Sequence, residues 1–189
     1  RTPYLTTLFI EDNQIKSLAD LAGIEIIDDR DQGYVEPAGQ WQNEVFEAPS
    51  AWNNDYRFAK EGGTATYTFD VPDGEMVDLF ATWPAIAHNV ATDTAYQVND
   101  GTETITIPVL QSVPPQDIDF AGRPWRSLGR FTSTDGTITV TLTGSDGAVV
   151  ADAVRAESVP VPESMVSSIY LTGNPLNDLS RDELVGRLQ

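Results

Sequence analysis

Thr137-Ile138-Thr139-Val140-Thr141-Leu142 alternates polar and apolar residues without a break, with Asp135-Gly136 ahead of it and Gly144-Ser145-Asp146-Gly147 behind. Successive side chains of a strand point to opposite faces, so this pattern predicts a strand with one face inward and turns at both ends. The same signal recurs outward from it. Thr64-Ala65-Thr66-Tyr67-Thr68-Phe69-Asp70-Val71 alternates and stops at Pro72-Asp73-Gly74. Met76 to Trp83 is another apolar run. Tyr96-Gln97-Val98 and Thr104-Ile105-Thr106-Ile107 flank Asn99-Asp100-Gly101, a hairpin-type turn. Ala148 to Val154 reads as a final, more continuously apolar strand. Short strands at regular spacing predict an antiparallel β-sandwich over residues 24–157.

The two ends of the chain match each other and not the middle. Leu5-x-x-Leu8-x-Ile10-x-x-Asn13-x-Ile15-x-x-Leu18 stands near the start, and Val166-x-x-Ile169-x-Leu171-x-x-Asn174-x-Leu176-x-x-Leu179 near the end. The pattern resembles the bacterial leucine-rich repeat. Leu5, Leu8 and Ile10 read as a short strand, Asn13 as the buried amide of the following turn, and Ile15, Leu18 and Leu21 as the closure. Ser180 with Glu183 forms a capping box that predicts a helix start. The implied organisation is a repeat segment at 1–23, the sandwich at 24–157, a stiff linker at 158–164 (Ser158-Val159-Pro160-Val161-Pro162-Glu163), and a second repeat segment at 165–189. A single repeat cannot bury its apolar face; about three stacked units are needed. The expectation is that the two copies come together and further repeats follow beyond this chain. The alternative is that each meets a repeat of a neighbouring molecule, giving contacts that do not close, and hence fibres.

The chain has 189 residues, 40% of them hydrophobic, which is enough for a real core. Its 29 acidic and 11 basic residues give a formal net charge of -18. Such a field repels nucleic-acid phosphates and anionic membranes and favours cations. With no cysteine there is no disulfide framework. The sequence shows no signal peptide and no transmembrane run, so no membrane insertion is expected. It begins Arg1-Thr2-Pro3, which reads as an excised or processed piece of something longer.

A specific order of motifs covers the middle. It runs Ile26-Ile27-Asp28-Asp29, Gly33-Tyr34, Trp41, Asp55-Tyr56-Arg57-Phe58-Ala59, Ala65-Thr66-Tyr67-Thr68-Phe69, then Ala81-Thr82-Trp83-Pro84. It continues through Ala91-x4-Tyr96-x-Val98, Trp125-x-x-Leu128-Gly129-x-Phe131 and Gly136 to Val149-Val150-Ala151-Asp152-Ala153-Val154-Arg155. This resembles the golvesin C-terminal-like family, also described as xanthan-lyase carbohydrate-binding-like modules. The resemblance implies a jelly-roll-like antiparallel β-sandwich serving as a non-catalytic accessory module of secreted bacterial proteins. One departure is the stretch Gln111 to Asp119, with Pro114-Pro115, which lengthens the approach to the W-x-x-L-G motif.

Catalytic constellations are poor. His88 is the one histidine, it lies outside any recognisable nucleophile elbow, and a zinc site has too few ligands. Aromatic residues beside amides and charges suit sugar rings better. Trp52, Tyr56, Arg123 and Trp125 are therefore the candidate ligand-binding residues, against the alternative that such rings fill the core. Trp41 and Trp83 are read as core, and Arg57 and Arg155 as partners of internal carboxylates. Asp28, Asp29 and Asp31 crowd the first sandwich strand and Asp152 lies in the last. These four are the candidate metal ligands, for a structural Ca²⁺, against an Asp-rich turn and a salt bridge.

The function expected from the sequence is an extracellular, non-enzymatic binding or adhesion module for polysaccharide or surface glycan. Its other partners are segments of a larger parent protein or neighbouring subunits, met through the repeat flanks. The alternatives are a building block of a surface layer, filament or giant adhesin, and a targeting domain of a polysaccharide-degrading enzyme.

Overall fold

In the computed structural model, residues 8–11, 23–38, 41–44, 49–86, 89–159 and 169–172 are described. Asn13, His88, Asn174, the 160–164 part of the linker and the 180–184 helix start lie outside them. The strands in chain order are β1 (Leu8–Glu11), β2 (Ile24–Ile27), β3 (Tyr34–Val35), β4 (Trp41–Glu44), β5 (Tyr56–Ala59), β6 (Gly63–Asp70), β7 (Met76–Ala81) and β8 (Ala95–Asn99). They continue with β9 (Thr104–Pro108), β10 (Ile118–Phe120), β11 (Arg123–Thr132), β12 (Thr137–Gly144), β13 (Val149–Ala151), β14 (Val154–Ser158) and β15 (Ile169–Thr172). Among the described residues a 3-10 turn spans Trp52–Asn54. No helix among the described residues is long and apolar enough to cross a membrane.

Alternation becomes pairing. β6 and β12 run antiparallel from Thr137↔Asp70 to Gly144↔Gly63. Every second residue of β6 is buried, and so are Ile138, Val140 and Leu142 of β12. β12 also pairs with β8, and β8 with β9 across the Asp100 turn, which gives the order β3-β6-β12-β8-β9. A second five-stranded sheet has the order β10-β11-β7-β14-β2, and β13-β5-β4 forms a smaller one. Val77, Leu79, Leu128, Phe131 and Val154 of the second sheet share one continuous core with Tyr67, Phe69, Val98, Ile138 and Val140 of the first. The sheets therefore pack face to face as a β-sandwich. Trp41 and Trp83 belong to this core, as expected.

Two glycines of the sequence motifs earn their places sterically. Gly33 has φ +95, and a Cβ there would come 2.9 Å from the carbonyl oxygen of Thr68 and from Ile27 Cδ1. Gly129 has φ +119 and stands where the β11–β7 register shifts between Ser127 and Gly129, a β-bulge.

Ala148 to Val154 is not one strand. The run divides into β13 and β14, which belong to different sheets, with Asp152 and Ala153 as the crossing. Asp152 explains the break: its backbone carbonyl accepts the Tyr67 hydroxyl at 2.8 Å, and its side chain accepts a loop amide instead of facing a strand neighbour. The Gln111–Asp119 stretch is tied down rather than free. Gln111 is fully buried; its Nε2 donates to the Val150 carbonyl at 2.7 Å and its Oε1 accepts the Val150 amide at 2.9 Å. The side-chain amide thus occupies the place of a strand neighbour beside β13.

By backbone contacts the chain divides into two units, Ile26–Ala156 and Arg1–Glu25 with Glu157–Gln189. In the second of these, β1 and β15 pair in parallel, with Leu8↔Ile169 and Ile10↔Leu171 in register. These are the equivalent positions of the two terminal motifs.

Candidate functional site

Neighbouring residues of a strand face opposite ways, so the sheet that carries Leu79 and Val154 inward carries Phe80 and Arg155 outward. On that outer side Phe80, Trp125 and Ala153 form a second apolar cluster, with Ile26, Phe120 and Trp52 packed against it. The Arg155 guanidinium carbon lies 4.4 Å from the Phe80 ring centre, 4.0 Å from that of Phe120 and 5.0 Å from that of Trp125. A cation over ring faces is attracted by their quadrupoles, and Arg is suited to it by its flat, weakly hydrated head. These ring contacts of Arg155 do not test the carboxylate partner expected for it.

Trp52 closes this cluster from outside. Its ring meets Trp125 edge-on at 5.5 Å and stacks near Phe120 at 6.4 Å. Trp52 remains half-buried, whereas Trp125 is completely buried. Trp125 is therefore corrected from a candidate stacking residue to a buried ring beneath Trp52, because no face of its ring reaches solvent. Its indole donates to the Phe120 carbonyl at 3.3 Å. Tyr56 is half-buried and packs on the main core, apart from the cluster that holds Trp52. Arg123 comes to the loop that carries Trp52: it donates to the Pro49 carbonyl and, at 3.4 Å, to Asn54 Oδ1. Arg123 is thus held against the loop that carries Trp52.

That loop, residues 49–55, is also where the acidic residues converge. Asn53 and Asn54 adopt positive φ of 49° and 67°, which Asn tolerates better than other non-glycine residues. Both oxygens of Asp152 accept the Trp52 amide, and Asp28 Oδ2 accepts Asn53 Nδ2 at 2.7 Å. Asp28, Asp29 and Asp55 each place a carboxylate oxygen within 4.8 Å of the others. Of the expected metal set, Asp28 and Asp29 lie in this group. Asp31 is exposed and accepts the Asp28 amide, and Asp152 holds Trp52. Asp55 was missed, since it stands 26 positions from Asp29 and only its place in the Asp55-Tyr56-Arg57 motif marks it.

Burial decides the protonation of these acids. It pushes Asp28 up to about 6, against hydrogen bonds from Asn53 and the Asp29 amide. It pushes Asp29 up to about 7, helped by the charge of Asp28 and opposed by Arg30. Asp152 is raised well above the usual carboxylate range by burial, against the hydrogen bond from Trp52. Nearby, Arg57 forms the expected ion pair with an internal carboxylate: its Nε and Nη2 donate to the two oxygens of Glu36, and Tyr34 donates to the same carboxylate at 2.8 Å.

A family model described as the Golvesin C-terminal domain matches residues 25–158. Among solved structures, a Paenibacillus xanthan lyase is 26% identical with a TM-score of 0.58, over 72% of this chain and 13% of that one. The chain thus corresponds to a small part of that enzyme's length. The CBM22-1 xylan-binding domain of Paenibacillus barcinonensis Xyn10C is 15% identical with a TM-score of 0.44, over 69% of this chain and 88% of that one. A family 35 carbohydrate-binding module from Clostridium thermocellum is 14% identical with a TM-score of 0.44, over 71% and 99%. No curated protein matches the chain.

Proposed function

Because this chain belongs to the Golvesin C-terminal domain family, we propose that it is a non-catalytic polysaccharide-binding module that works at the bacterial cell surface or outside the cell. The observation that carries this reading is Trp52: a half-exposed indole backed by Trp125 and fixed through its own amide by Asp152, with Arg123 beside its loop. A flat ring held in one orientation meets a sugar face with little ordering cost. The likeness to part of a xanthan lyase supports a polysaccharide as the ligand class. The net charge of -18 favours a neutral glycan over a polyanion. Affinity electrophoresis of the full chain through gels containing neutral or anionic polysaccharides tests this. Retardation by a neutral polysaccharide that disappears in Trp52→Ala supports the reading. No retardation by any polysaccharide, or retardation unchanged in Trp52→Ala, refutes it.

A second reading is favoured by the parallel register of Leu8 with Ile169. In it the terminal segments 1–23 and 165–189 are adjacent leucine-rich repeat rungs, and the sandwich is an insertion between them. The role is then a building block of a larger adhesin or surface structure. Sedimentation across a range of concentrations tests it: growth into long assemblies supports self-association through open repeat edges, and one constant species removes that version.

A further inference from the structure

We propose that Asp28, Asp29 and Asp55 form a binding site for a divalent cation, Ca²⁺, at the root of the loop that carries Trp52. One oxygen from each carboxylate lies within 4.8 Å of the other two. Ca²⁺–oxygen distances of about 2.3–2.6 Å place oxygens on opposite sides of the ion about 5 Å apart, so all three fit one coordination sphere. Mg²⁺, with bonds of about 2.0–2.1 Å and a stricter geometry, suits a tighter group.

Proximity of acids is ordinary in so acidic a chain, but the state of Asp29 is not. Its side chain is 1% exposed and faces the other two carboxylates, and Oδ2 has no hydrogen-bond partner. A buried carboxylate oxygen left in this state is costly, and buried charges are ordinarily paired or bound to metal. Arg30 supplies one positive charge: its Nη2 lies 2.8 Å from Asp55 Oδ2 and its Nε 3.8 Å from Asp29 Oδ1. With all three carboxylates ionised, the one guanidinium in contact with them does not balance their charge, and a divalent ion offsets the remainder. The ligands come from two places in the chain: Asp28 and Asp29 directly follow β2, and Asp55 stands at the end of the Trp52 loop, just before β5. An ion held between them ties the Asp55 end of the Trp52 turn to the turn that follows β2. This site stands whether or not the ligand of Trp52 is a glycan.

Calorimetry and thermal melting of the full chain, stripped with EDTA and then given millimolar Ca²⁺ or Mg²⁺, test the proposal. The wild-type chain takes up Ca²⁺ at one site and melts about 5 °C higher, with a smaller response to Mg²⁺. Asp29→Asn, which removes the buried charge, melts in EDTA no lower than wild type and loses the Ca²⁺ response. Asp55→Asn weakens Ca²⁺ binding about tenfold or more. The proposal is overturned by a wild-type chain with neither heat nor a melting shift on Ca²⁺. It is equally overturned by an equal shift with Mg²⁺, or by variants that respond to Ca²⁺ as wild type does.

Discussion

Both carboxylate oxygens of Asp152 lie 3.1 Å from the backbone nitrogen of Trp52, a residue 100 positions earlier in the chain. The contact anchors an exposed loop to the point where the chain crosses from β13 to β14. It joins the aromatic and acidic residues of the candidate site into one structure.

Asp152→Ala leaves the Trp52 amide without its acceptor and opens a small void, so it is expected to lower stability by about 2–3 kcal/mol. Asp152→Asn keeps an acceptor in nearly the same shape, and its cost is expected to be about 1 kcal/mol or less. Urea denaturation followed by tryptophan fluorescence measures both. An Asn variant as unstable as the Ala variant contradicts a role based on shape and acceptance.

Gln111→Ala removes two buried hydrogen bonds to Val150 and most of a fully buried side chain. A loss of about 2–4 kcal/mol is expected, visible as a lower urea midpoint with an unchanged slope. Binding at Trp52 is expected to survive in the folded variant. A midpoint within experimental error of wild type is the contrary result.

Arg155→Lys retains the charge but replaces a flat guanidinium by a rounded, strongly hydrated ammonium among three rings. The expected cost is about 1–2 kcal/mol, and Arg155→Met, which restores apolar packing without charge, is expected to differ from it measurably. Thermal melts of the two variants beside wild type decide it; a Lys variant indistinguishable from wild type rules out stacking as the reason for Arg.

Glu36 titrates below its ordinary value: burial works upward, but hydrogen bonds from Arg57 and Tyr34 outweigh it. A folded value below the unfolded one means that this contribution is present above the ordinary glutamate value of 4.5 and disappears as the pH falls through the folded value. Glu36→Gln is therefore expected to lower stability at pH 7 and to flatten the loss of stability below about pH 4.5. Melting temperatures from pH 7 to pH 3 check the sign. A parallel displacement of the two curves at every pH contradicts it.

The sandwich strands with strict alternation were legible because a period of two depends only on neighbouring residues. Thr137–Leu142 and Thr64–Asp70 fold as their pattern requires. β11 was harder, because the bulge at Gly129 breaks the period and leaves Trp125, Leu128 and Phe131 buried at spacings of three. The apolar run from Ala148 to Val154 concealed a crossing, since hydropathy does not distinguish two buried strands in different sheets from one.

The sequence alone determined the β class, the extent of the sandwich family match, the core positions of Trp41 and Trp83, and the concentration of acids at Asp28 and Asp29. Each is a local or compositional property, carried by side-chain period, by motif spacing or by charge. Tertiary structure alone decided that Trp125 lies beneath Trp52, that Arg155 meets ring faces, and that Asp55 rather than Asp31 joins the acidic group. Those relations depend on which strand neighbours which and on where residues 49–55 cross the sheet. The physical reason is that burial and desolvation are set by atoms distant in sequence, and no local pattern encodes them.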